Sequence, residues 1–181
     1  MKQPFEFIPV AQRKTIFFSV LVWTLVLLLA SQLLNSPLIN FNAPAGIISL
    51  ELARSPYVTR LIVDSWDYNA RISAAFGLGF DFLFLVSYAV AFSLALLLQA
   101  RKTMGVISAF GDAMAWIVLL AAFLDMVENI GLFISLNGHF SFLWSELSFW
   151  CATIKFTILS LTILLLILGL FMSRKPLSQE A

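Results

Sequence analysis

The sequence predicts an all-α, polytopic membrane protein: a four-transmembrane-helix bundle with an amphipathic helical segment between helices 1 and 2. Three observations predict it. The 181 residues are 61% hydrophobic and 12% charged, whereas soluble domains are about 45–50% apolar and about 25% charged. Four apolar runs reach the roughly 20 residues that a helix needs to cross hydrocarbon. Only one connection between them, 35–73, is long. With a mean hydropathy of +0.95 and the length of one bundle, residues 1–181 are expected to form a single membrane domain.

Residues 1–14 are polar and basic (Lys2, Arg13, Lys14), and Pro4 and Pro9 prevent a long helix there. The first span is expected over 15–34. Its apolar core exceeds the roughly 7–15 residues of a signal peptide and no small-x-small site follows, so it reads as an uncleaved span. Within 35–73, Pro37 breaks the first helix, Asn42 with Pro44 resembles a helix start, and 44–54 is too short to span. Ser55-Pro56 is a cleaner start, with serine as N-cap and proline at the first helical position. From there Arg60, Asp64, Asp67 and Arg71 share one stripe, and Val58, Leu61, Ile62 and Trp66 fall opposite. The segment 44–72 is therefore expected to be amphipathic, with its 55–72 helix lying on the outer membrane surface.

The second span is expected over 74–99, with Asp81 one to two turns inside it and Tyr88 one heptad later on the same face. Arg101 and Lys102 mark a tight turn. The third span is expected over 108–136, with Gly111-Asp112 as an N-cap near the interface and Asn137-Gly138 as the C-cap. After an aromatic turn, Ser145 and Glu146 open the fourth span, 147–172, which Arg174, Lys175 and Pro176 end. Trp66, Trp144 and Trp150 read as interface anchors. Basic residues gather at both chain ends and at the second-to-third turn, whereas the third-to-fourth loop has no lysine or arginine. Both termini are accordingly expected in the cytoplasm, in a plasma or bacterial inner membrane.

The polar residues inside the spans are the candidate site: Asp81, Tyr88, Asp125, Glu128, Asn129 and Lys155, as ligand- or proton-binding groups. Asp125 and Asn129 lie one above the other on the third helix, with Glu128 beside them. Counting from the outer helix ends, Glu128 and Lys155 come to roughly 12 Å depth and Asp81 to roughly 10 Å. Lys155 is the only cation inside any apolar run and is expected to pair with Glu128 or Asp125. Small residues continue the stripe of the third helix (Gly111, Ala115, Val118, Ala122), so neighbouring helices can approach it closely. On the fourth helix Ser148, Cys151, Lys155 and Thr162 share a face. Three acids against one lysine leave three solutions: two acids are protonated, an arginine from the connection (Arg54, Arg60 or Arg71) folds in, or a cation or proton is the ligand.

Other chemistries find no residues. A lone Cys151 allows neither an intrachain disulfide nor thiol–disulfide exchange, and one histidine cannot supply two axial haem ligands or a zinc site. No cofactor or metal is expected, and the net charge of +1 does not indicate nucleic acid. His139 reads as a loop histidine, or more sharply as an acid/base at the cavity mouth. The leading function is binding or transport of an ion, a proton-coupled small molecule or a lipid, since intramembrane ionisable residues are functional by default. The alternative is a non-enzymatic accessory or scaffold subunit whose charged layer fixes helix register; a membrane enzyme acting on lipid comes third. The bilayer is the expected partner. Four spans are few for a complete transporter, so transport implies a homo-oligomer or a membrane-protein partner.

Overall fold

The computed structural model describes residues 3–103 and 105–172, and among them the regular elements are all helical. In chain order they are α1 (Val10–Asn35), a 3-10 turn (Ser36–Leu38), α2 (Ile47–Glu51), α3 (Pro56–Asp64), α4 (Tyr68–Ala100), α5 (Val106–Leu136) and α6 (Phe142–Met172). α1, α4, α5 and α6 are long and apolar enough to cross a membrane. The protein is thus an all-α membrane protein with four spanning helices. Arg174, Lys175 and Pro176, expected to close the last span, lie outside the described residues.

The long helices pack mainly as α1 on α4, α4 on α5 and α5 on α6. α4 and α5 are the inner pair, whereas α1 and α6 leave most of their surfaces outward. Small side chains make the central contact close. Ala115, Val118 and Ala121 are fully buried on α5, and Ser93 Oγ donates to the Ala115 carbonyl at 2.6 Å. At one end the N-terminal segment folds against the bundle. Arg13 is buried, donating to the carbonyls of Ile8 and Phe5 and to Gln3 Oε1, and Gln3 Nε2 donates to Asp112 Oδ1 at 2.9 Å. The expected N-cap at Gly111-Asp112 is therefore displaced. α5 already begins at Val106, after Gly105 at φ 66°, so Asp112 lies inside the helix as an anchor for the N-terminal segment.

At the other end the 36–67 connection and the 137–141 turn meet. Thr59 and Ser145 share a hydroxyl hydrogen bond of 2.9 Å, and Arg54 Nε reaches Glu146 Oε1 at 3.0 Å. α6 begins at Phe142, where Ser141 Oγ accepts from Trp144 N–H at 3.3 Å. Ser145 and Glu146 thus lie within its first turns instead of opening it.

The 55–72 segment is not one helix. Ser55 caps α3 through Val58 N–H at 3.2 Å, with Pro56 at the first position. α3 then stops at Asp64, and Ser65 Oγ turns back to the Ile62 carbonyl at 2.6 Å. Asp67 starts α4 afresh by accepting from Ala70 N–H at 2.8 Å, which is why the second span begins before residue 74. Between the two helices Trp66 enters the core, its Nε1–H donating to the Leu38 carbonyl at 2.8 Å. It is a buried strut and not an interface anchor. Arg60, Asp64 and Asp67 are exposed, with Asp64 bridging Arg60 at 3.2 Å and Arg71 at 3.5 Å. The inward face consists of Thr59, Ile62, Val63 and Trp66, while Val58 and Leu61, expected beside them, are exposed.

α2 is the element that brings the connection down into the bundle. Its start is set neither by Asn42 nor by Pro44. The amide of Asn35, at the end of α1, accepts from Ile47 N–H at 2.8 Å and donates to the Ala45 carbonyl at 3.3 Å. Gly46 fits there because its φ is 62° and a Cβ would fall on that same Asn35 amide. Around this turn Gly46, Ser49, Leu52 and Ala53 N–H groups all bond to carbonyls within the segment, and Ala45 N–H bonds to Ser49 Oγ at 3.0 Å. Irregular backbone at membrane depth is tolerated only where it is satisfied and covered in this way.

Candidate functional site

The site is a charged layer between α2, α4, α5 and α6. Helix periodicity builds the α5 wall. Gly111, Ala115, Val118, Ala122, Asp125 and Asn129 are all buried on one stripe, and Glu128, three residues after Asp125, is 0% exposed. α6 answers with Ser148, Cys151, Lys155 and Thr162, also all buried. Lys155 sits between the two walls. Its Nζ donates to Asp125 Oδ1 at 2.8 Å and to Glu128 Oε1 at 3.1 Å, with Glu128 Oε2 at 3.0 Å. Lysine and aspartate are 5% and 3% exposed, so each needs the other. An unpaired charge at this place would cost several kcal/mol.

α4 supplies the polar rim. Tyr88 donates its hydroxyl to Asp125 Oδ2 at 2.9 Å, so both carboxylate oxygens of Asp125 are occupied. One heptad earlier, Asp81 Oδ2 accepts from Asn129 Nδ2 at 2.7 Å. All six candidate residues, Asp81, Tyr88, Asp125, Glu128, Asn129 and Lys155, fall in one layer as two linked groups. Lys155 takes both of its expected acids.

A seventh residue belongs with them. Glu51, the last residue of α2, places Oε2 3.7 Å from Lys155 Nζ and is 9% exposed. It is not among the residues that the sequence singles out. The arginines of the connection are engaged elsewhere: Arg54 with Glu146 and over the Phe149 and Trp150 rings, Arg60 and Arg71 with Asp64. The connection therefore adds an acid to the layer where an arginine was one of the expected solutions. The usable signal was the setting of Glu51, the one charged residue among Leu50, Leu52 and Ala53 in an otherwise apolar stretch.

Three carboxyls now share one ammonium, with Asp81 as a fourth acid nearby on Asn129. Glu51 Oε2 and Ser148 Oγ are buried without a hydrogen-bond partner among the described residues, whereas Glu128 Oε2 keeps its 3.0 Å ion-pair contact with Lys155. Burial pushes the Glu51 carboxyl above its ordinary range; Lys155 opposes this and Asp125 adds to it.

Beside the layer lies a cavity of about 60 Å³, between α1, α2, α4 and α5. Glu51, Asp81, Asn129, Asn35, Ser31 and Ser73 supply its polar lining, and Leu34, Leu38, Ile47 and Leu78 its apolar lining. Among the described residues no group of three or more His, Cys, Asp or Glu is arranged to hold a metal ion. His139 is exposed in the turn before α6, and Cys151 is a buried free thiol on the α6 face. Compared with protein families, with curated proteins and with solved structures, the chain matches none.

Proposed function

We propose that the protein binds a small solute or ion within the membrane and couples its occupancy to proton uptake and release at the charged layer. The observation that carries this is the charge count: Asp125, Glu128 and Glu51 surround a single ammonium, Asp81 stands beside them on Asn129, and Glu51 Oε2 has no hydrogen-bond partner among the described residues. Several uncompensated carboxylates in one buried layer repel one another and forfeit hydration. Protons or a cation must make up the difference, and a layer that accepts either can exchange one for the other. Asp125 is held by Lys155 and Tyr88 and serves as the structural anchor of the layer. Glu51, Glu128 and Asp81 are the exchanging groups, and Asn129 positions Asp81.

The test is infrared spectroscopy of the purified protein, following the carbonyl band of protonated carboxyl groups from mildly acidic to mildly alkaline pH. The expected result is a band that titrates in this range and weakens in Glu51→Gln and Glu128→Gln. A spectrum without a titrating band would leave the layer as a device that only fixes helix register, the accessory-subunit reading.

A further inference from the structure

We infer that the cavity beside the charged layer receives a primary ammonium group on a short aliphatic stem, carried either by a free small amine or by an aminoalkyl phospholipid headgroup. The inference deepens the proposed function by naming the ligand, and it rests on that reading only in drawing on the same excess of carboxyls. Three features of the cavity point to this chemistry.

The first is what its polar wall lacks. Glu51 and Asp81 line the cavity, and no lysine, arginine or histidine does. Glu51 is nine-tenths buried, and its Oε2 has no hydrogen-bond partner among the described residues. Lys155 stands 3.7 Å away, beyond donating distance. A donor arriving from the cavity would meet an acceptor already desolvated, so it would not have to strip water from it.

The second is the apolar part of the lining. Leu34, Leu38, Ile47 and Leu78 are aliphatic, while Ala74 and Gly77 keep the space open. A bare metal ion finds no use for such a wall. Calcium, for comparison, takes 6–8 oxygen ligands, and no metal-holding group of acids occurs among the described residues. An ammonium needs only two or three acceptors in its forward hemisphere, and a short methylene stem would lie against the leucines.

The third is size and precedent. One water needs roughly 10–15 Å³ by this measure, so about 60 Å³ suits a headgroup of a few heavy atoms. The neighbouring layer already recognises an ammonium in the same manner, with Asp125 and Glu128 around Lys155.

The test uses the full chain in phosphatidylcholine nanodiscs, with thermal unfolding followed at constant ionic strength. Ethylammonium is expected to raise the midpoint saturably, whereas ethanol, sodium and potassium are not. Asp81→Asn and Glu51→Gln should each weaken the ethylammonium response by about tenfold or more, the worth of a charge-assisted hydrogen bond. Should either variant fold poorly, Gly77→Val provides a second route. A Cβ there meets only Leu34 Cβ, at 3.9 Å, so the variant fills the cavity without touching a charge. It should abolish the ethylammonium response while leaving the infrared titration as in the wild type. Nanodiscs containing phosphatidylethanolamine separate the two sources. A raised midpoint with a blunted ethylammonium response identifies the headgroup, and an unchanged response identifies a free amine; either supports the inference. An equal response to sodium or potassium overturns it, as does a Gly77→Val protein that responds like the wild type. A titrating carboxyl band without any ammonium response overturns this inference alone. An ammonium response without a titrating band overturns only the proton coupling.

Discussion

Lys155 is bound on one side by Asp125 and on the other by Glu128, and removing it strands both. Lys155→Met is expected to cost about 3–5 kcal/mol, the usual consequence of breaking a buried pair from one side. Unfolding of the detergent-purified protein measures this. Adding Asp125→Asn and Glu128→Gln should recover most of the loss, because neither of the two closest partners is then left as a bare charge. If the triple variant is as unstable as the single one, the ion pairs are not what holds α5 to α6. Glu51 makes a different prediction. Its carboxyl is raised by burial, so the folded state holds the proton more tightly than the unfolded chain does. Its stabilising share is then complete below the ordinary carboxyl pKa and declines as pH rises through the raised one. Glu51→Gln imitates the neutral acid at every pH. Melting profiles of the two proteins should coincide in acid and diverge in mild alkali, with the variant the more stable. Parallel profiles would show that Glu51 does not titrate in that window.

The connection between α1 and α4 shows what an element needs in order to be legible from sequence. Ser55-Pro56 announces the start of α3 because cap and proline are adjacent in the chain, and the stripes of α5 and α6 are readable because long helices repeat their pattern. α2 has neither advantage. At Ile47–Glu51 it is too short for periodicity, and its cap, Asn35, belongs to another helix. The Trp66 break is hidden for a related reason, since its partner is the Leu38 carbonyl, which lies far back in the chain. The α2 cap is testable. Asn35→Ala should cost about 0.5–2 kcal/mol, as lost N-caps do, and should draw Glu51 away from the layer. Gly46→Ala should cost more, since it adds a strained φ to a clash with Asn35. Both are read by thermal unfolding, and a Gly46→Ala protein of wild-type stability would contradict the described α2 turn.

At the scale of the molecule, four crossings put the start of α1 and the end of α6 on one side of the membrane. From the distribution of lysine and arginine we propose that this side is the cytoplasm. Reporter fusions after residues 42, 103, 140 and 178 should alternate outside, inside, outside, inside, and an outside signal at 103 would reverse the assignment. One further consequence follows from the spacing of Lys155 and its acids. Asp125 and Glu128 precede it by 30 and 27 residues, so α5 emerges from the ribosome before its counter-charge does. A lone α5 would have to carry two carboxylic acids into lipid, at about 2.5–3.5 kcal/mol for an aspartate near mid-helix. The short turn 137–141 lets α6 follow at once. Biosynthesis therefore favours the two helices leaving the translocon together as a hairpin, already neutralised in part. In an insertion assay with engineered glycosylation sites, α5 alone should integrate poorly, the α5–α6 hairpin well, and the hairpin carrying Lys155→Met in between. The lysine would then serve as an assembly checkpoint during synthesis, before any solute reaches the finished protein.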